Sequence, residues 1–167
     1  MLYEAVSEFI QLHAFDHLLD NELAQLKSLI NQWSQAIDLD LLHLGTTADA
    51  DEIRDTANAQ PLIVAAGLLS AGVLDLQGKF SYVAGHSVGE ITAAALAGVI
   101  SEVDALRLVR VRGLEMAKAA AASPSGMSAV LGGDRDVVLA AIAEAGLVAA
   151  NDNGAGQIVA AGDLAAL

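Results

Sequence analysis

A serine framed by glycines, Gly85-His86-Ser87-Val88-Gly89, lies between a β-prone run, Phe80-Ser81-Tyr82-Val83-Ala84, and an alanine-rich run from Ile91 to Ala97 closed by Gly98. Gly-x-Ser-x-Gly between a strand and a helix has the form of a nucleophile elbow. So sharp a turn holds its serine in a strained conformation, and flanking glycines let neighbouring backbone pass without a clash. The hydroxyl then stands at the positive end of the following helix, where a developing oxyanion meets the backbone N–H of Val88. The pentapeptide admits two readings, a nucleophilic serine or a tight turn that uses glycine for packing. His86 adjoins the serine, and successive residues at a turn point apart, so it is read as a positioning or substrate-binding residue rather than the base. His13, His17 and His43 lie upstream and no histidine follows His86. A serine hydroxyl nevertheless needs a general base within hydrogen-bond reach to become a strong nucleophile.

Arg112 is the second residue with chemical promise. At about 100° per residue, Ala105, Leu108, Val109, Arg112 and Met116 fall on one helical face, with Arg107 and Arg110 roughly opposite as solvent-face charges. An arginine amid apolar residues must snorkel or meet an anion. Two partners fit, a structural carboxylate or the carboxylate of a substrate, which the planar guanidinium fork holds through two parallel hydrogen bonds.

The elements that position these residues follow from periodicity. Residues 1–37 contain no glycine or proline, and Leu19, Leu23, Leu26, Ile30, Trp33 and Ile37 form one helical stripe. An earlier stripe, Leu2, Val6, Phe9 and Ile10, suggests a helical hairpin with a break at Asp20-Asn21, or a self-association seam. Residues 38–60 read as an acidic loop. Asp51 and Glu52, just before Ile53, complement the N-terminus of a short helix better than they hold a metal. A buried helix is expected after Pro61 and another from about Ser101 to Ala122, opened by a Ser-Glu-Val-Asp cap signal. Beyond Gly126 the pattern is β-α-β-β: strands at Met127–Leu131, Leu147–Ala150 and Gln157–Ala160, a helix from Asp134 to Ala145, and a turn at Asn151-Asp152-Asn153-Gly154. Asp163-Leu164 reads as the start of another helix, so the chain is expected to stop inside a β-α-β-β-α-β unit. The expected division is a helical segment over 1–45, a core with the serine turn over 46–124, and the start of a small subdomain over 125–167.

The 167 residues include 8 Lys and Arg against 21 Asp and Glu, a formal net charge of −13, with 54% hydrophobic residues and no cysteine. So apolar a chain folds despite its acidity. The missing cysteine removes disulfides, thiolate metal sites and a thiol nucleophile. The acidity argues against nucleic acid as a partner. The longest apolar run, Pro61–Leu74, is too short and too broken for a membrane span, and the N-terminus lacks the basic region of a signal peptide. A cytoplasmic protein is expected.

Taken together, Gly85-His86-Ser87-Val88-Gly89-Glu90, Arg112-Gly113-x-x-Met116, Gly126-Met127-Ser128-Ala129-Val130-Leu131-Gly132 and Asn151-x-Asn153-x-x-Gly156-Gln157-Ile158-Val159-Ala160-Ala161-Gly162 resemble one family. It is the malonyl-CoA:acyl-carrier-protein transacylases of bacterial fatty-acid synthesis, with the related acyltransferase domains of polyketide synthases. The resemblance runs from about Trp33 to Gly162. It implies an α/β fold, a partial α/β-hydrolase-like acyltransferase core with an incomplete ferredoxin-like subdomain. It further implies Ser87 as the acyl-carrying nucleophile, Val88 as oxyanion donor and Arg112 as holder of the malonyl carboxylate. Malonyl-CoA would be the substrate, acyl carrier protein the partner, and no cofactor is implied. The family's opening strand and Gly-Gln-Gly loop have no counterpart in the glycine-free first 30 residues, and Gln11 is not assigned that role. The family's histidine and its orienting glutamine fall beyond residue 167, so this chain alone is expected to be nearly inactive. The competing readings are an interaction module derived from such an enzyme and an ordinary esterase, which would leave the Arg-Gly-x-x-Met helix unexplained.

Overall fold

The computed structural model describes residues 20–74 and 79–167. Leu2, Val6, Phe9, Ile10, Gln11, His13, His17 and Leu19 lie outside the described residues. The fold divides into two compact units, one ending at Ala117 and one spanning Lys118–Leu167.

The first unit is helical. Helix α1 (Asp20–Ile37) carries the expected stripe, and its Trp33 and Ile37 are buried. They meet Leu41 of α2 (Leu41–Thr46), Val64, Ala65 and Leu68 of α4 (Thr56–Val73), and Ala105, Leu106 and Val109 of α6 (Glu102–Ala122) in one core cluster. A smaller cluster joins Leu44, Ile53 and Leu62.

The acidic stretch is not the loop its composition suggests. It contains α2, α3 (Ala50–Arg54) and the start of α4, and an aspartate caps each of the three helices. Asp40 accepts from the His43 amide at 2.9 Å, Asp49 from the amides of Asp51 and Glu52, and Asp55 from the Ala57 amide at 2.8 Å. An aspartate at each first turn supplies the acceptor that the unsatisfied amides there require.

Helix α4 begins before Pro61 rather than after it, so the proline lies within the helix. Pro61 has no N–H to offer the Ala57 carbonyl four residues back. Arg110 of α6 fills the gap, its Nη1 donating to the Ala57 oxygen at 2.9 Å. Arg110 is therefore half-buried and engaged, not a plain solvent-face charge. Helix α4 is long and apolar enough to cross a membrane by composition. Its Val64 is nevertheless wholly enclosed, and Leu62, Ala65 and Leu68 are buried with it.

Phe80–Ala84 forms no regular element, bends at Ser81 and joins no strand ladder. Its β-prone residues would form a strand only beside a neighbour that takes up their amides and carbonyls, and among the described residues the only sheet lies in the second unit. Tyr82 is accordingly 92% exposed.

The second unit is β1 (Ser125–Leu131), α7 (Arg135–Glu144), β2 (Val148–Asp152) and β3 (Gln157–Asp163), close to the expected β-α-β-β. The strand order is β1-β3-β2 and both pairings are antiparallel, so β3 separates two mutually parallel strands. Val130 faces Ile158 and Ser128 faces Ala160 in one ladder. In the other, a register shift falls between Ala149 and Asn151. Ile158 and Ala160 close a core with Ile142 of α7. Asp134 caps α7 through the amides of Asp136 and Val137. From Asp163 the chain makes one turn of the kind that opens a helix: the Asp163 side chain accepts from the Ala165 amide at 2.8 Å and its carbonyl accepts from the amides of Ala166 and Leu167.

Candidate active site

The serine turn has the strain that its pattern predicts. Ser87 has φ of 56°, in the left-handed region that side chains disfavour. The amides of Gly89, Glu90 and Ile91 donate to the carbonyls of His86, Ser87 and Val88, tying the turn into α5 (Gly89–Leu96). The Val88 amide is not among the donors of the turn. A Cβ on Gly85 would come within 2.2 Å of the Gly89 carbonyl and 2.3 Å of the Glu90 nitrogen, so only glycine fits there. Gly89, by contrast, has open space about its Cα. Val88, Ile91, Ala95 and Leu96 seat the turn and its helix against the main core cluster.

Helix α6 brings Arg112 to the same place. Its start is capped by Ser101, whose Oγ accepts from the Asp104 amide at 3.1 Å. The buried ridge is Ala105, Leu106, Val109 and Gly113, rotated from the stripe expected from the sequence; Leu108 and Met116 are 52% and 41% exposed. Gly113 sets the rotation. A Cβ there would lie 2.9 Å from the Thr56 oxygen and 3.2 Å from the Ala57 Cα, so glycine lets α6 close onto the first turn of α4. Arg112 therefore sits at the edge of the ridge, half-buried.

Its guanidinium meets two neutral oxygens. Nη2 donates to the Ser87 Oγ at 2.9 Å, and Nη1 donates to the Gln60 Oε1. Among the described residues no carboxylate pairs with Arg112. The structure thus brings together Ser87 and Arg112, 25 residues apart in sequence, and adds Gln60, 52 residues from the arginine. Gln60 escaped the sequence reading. The one local signal was its place just before a proline inside an otherwise helical run. His86 is exposed at the turn and contributes its carbonyl to the Gly89 amide. His43 is engaged elsewhere, with Thr47 at 2.7 Å and Glu52 at 3.0 Å.

Residues 19–167 match the model of the acyl transferase domain. The chain belongs to the acyl transferase domain family. Within it, the chain is 61% identical over 142 residues to the malonyl CoA-acyl carrier protein transacylase of Mycobacterium tuberculosis, covering 83% of this chain and 47% of that relative. It superposes on the crystal structure of MCAT from Mycobacterium tuberculosis with a TM-score of 0.80 and 59% identity, over 84% of this chain and 48% of the other. It is also similar to a malonyl-transacylase solved in complex with a type II PKS acyl-carrier protein, with a TM-score of 0.73 and 31% identity over 84% and 48% of the two chains. The chain thus spans about half the length of the relatives it matches. The acyltransferase fold accounts for both units described above, the helical one that holds the serine turn and the small antiparallel one.

Proposed function

We propose that this chain supplies the acyl-carrying half of a malonyl transfer from coenzyme A to the phosphopantetheine thiol of acyl carrier protein, in fatty-acid synthesis. The observation that carries the proposal is the 2.9 Å approach of the Arg112 Nη2 to the Ser87 Oγ, which sets a carboxylate-binding cation beside a nucleophile on a strained turn. In the first half-reaction the Ser87 oxygen attacks the thioester carbonyl of malonyl-CoA, its proton leaves to a base, and the carbon–sulfur bond breaks to release the coenzyme A thiol. The carbonyl oxygen gains charge in that step and is met by the Val88 amide at the head of α5. In the second, the carrier thiol attacks the malonyl-serine ester and the serine recovers its proton. Arg112 holds the free malonyl carboxylate throughout. His86, exposed beside the nucleophile, lines the way in for the substrate. Acetyl groups lack the carboxylate and leave the guanidinium without its anion, which is the source of selectivity. No cofactor takes part, and the reaction belongs to the cytoplasm.

The only side chain described on the Ser87 hydroxyl is a donor, Arg112, so the proton must leave to a group beyond this contact. That observation supports a second reading, an acyltransferase-derived chain that no longer transfers. Intact-mass spectrometry of the purified chain with malonyl-CoA separates the two. The transferase reading expects a gain of one malonyl group that is absent in Ser87→Ala and weaker with acetyl-CoA. No adduct on a folded chain, or one that survives Ser87→Ala, would overturn it.

A further inference from the structure

The guanidinium of Arg112 is held by a neighbour that the proposed reaction does not use. Gln60 lies on α4, one residue before Pro61 and just after the first turn that α6 approaches through Gly113. Arg110 ties down the Ala57 carbonyl at 2.9 Å, and Gly113 presses against Thr56 and Ala57. The first turn of α4, just before Gln60, is therefore held to the helix that carries Arg112 at two points. Across this junction the Gln60 Oε1 accepts from the Arg112 Nη1, while the Nη2 reaches the Ser87 Oγ.

A guanidinium binds a carboxylate well only when its plane is fixed, because the two parallel hydrogen bonds demand a common plane. A glutamate at position 60 would fix the plane as well, but it would neutralise the charge that the incoming carboxylate needs. A neutral amide oxygen fixes the plane and leaves the charge available. We infer that Gln60 is the positioning residue of the Arg112 carboxylate clamp, a neutral acceptor that orients the guanidinium while reserving its positive charge for the acyl group's free carboxylate. The inference rests on the reading of Arg112 given under the proposed function.

The test uses the full chain and nitrogen-15 NMR of the arginine side chains, which needs no turnover. In the unmodified chain the Arg112 Nη resonances should be resolved by hindered rotation. They should average in Gln60→Ala and stay resolved in Gln60→Glu, which keeps size and acceptor and so guards against loss of fold. Titration with monomethyl malonate, a free carboxylate with the malonyl spacing, should then shift the Arg112 Nε resonance. Its affinity should fall at least about tenfold in Gln60→Glu, the scale of one charge-assisted hydrogen bond. Methyl acetate, which has no carboxylate, should shift nothing. Resolved Nη resonances in a folded Gln60→Ala would overturn the positioning role. Equal affinity in the unmodified chain and Gln60→Glu would overturn the charge argument while the clamp itself stood. If monomethyl malonate moves no Arg112 resonance in the unmodified chain, the clamp fails and the Gln60 role falls with it.

Discussion

At Ser87 the backbone holds a φ of 56°, and the crowding of a β-carbon there can be measured apart from the hydroxyl. Ser87→Ala keeps the β-carbon and Ser87→Gly removes it. The glycine variant should be the more stable of the two by about 1 kcal/mol in urea unfolding, the low end of the cost of a left-handed non-glycine residue. Gly85→Ala should do the opposite, because its new carbon would meet backbone at 2.2 Å. We expect a loss of at least about 3 kcal/mol, or failure to accumulate folded protein, with no acylation at Ser87. The strained turn at Ser87 and the crowding at Gly85 were legible in the sequence because both are written into five consecutive positions. Arg112 was legible as a charge on a helix with apolar neighbours, although the helix is rotated so that Gly113, not Met116, lies on the buried ridge. Gln60 was not legible. Its role comes from a contact across 52 residues, and no spacing rule reaches that far.

Between elements, the junction of α4 and α6 makes a specific demand. The Ala57 carbonyl loses its helical donor to Pro61 and gains Arg110 in its place. Arg110→Ala should therefore cost about 1.5–3 kcal/mol, the range for a hydrogen bond to a charged group. In a Pro61→Ala background, where position 61 again has an N–H, the same change should cost clearly less. A double-mutant cycle by urea unfolding would read the coupling directly, and independent costs would show that Arg110 does not replace the missing donor. Elements with local instructions were legible from sequence. The small unit, with its cap at Asp134 and a β-α-β-β rhythm, was found in its element order, with strand ends displaced by up to three residues. Residues 38–60 mislead because Asp40, Asp49 and Asp55 read as loop composition, whereas each caps the start of a helix. Phe80–Ala84 misled for the converse reason: strand propensity is local, but a strand exists only with a partner.

For the molecule as a whole, charge dominates. A net −13 on 167 residues makes the folded state repel itself. Thermal midpoints should rise as sodium chloride is raised from about 0.05 to about 0.5 M, since screening weakens the repulsion; a flat response would show that local pairs offset it. One such pair ties α7 to β2, the Arg135 Nε to the Asp152 Oδ2 at 2.6 Å. The Arg135 hydrogen bond, with a second from the Gly154 amide, holds the Asp152 carboxyl below the usual carboxylate range. A carboxyl lowered by folding stabilises the fold above its unfolded pKa and loses that contribution as pH falls through the folded one. The stability gap between the unmodified chain and Asp152→Asn should therefore be present at pH 7 and close as pH falls below about 4. Unfolding curves at several pH values would check it.

The strand order of the small sheet also dictates when that sheet can exist. β3 is the latest of the three strands in the chain and the central one in space, and among the described residues β1 and β2 pair only with it. During synthesis, Ser125–Leu131 and Val148–Asp152 leave the ribosome with no neighbour to bond until Gln157–Asp163 follows. Sheet formation in this unit is thus a single late event rather than a stepwise one. A nascent chain stalled before Gln157 would carry α7 but no strand pairing at all, with its apolar strand residues open to a chaperone.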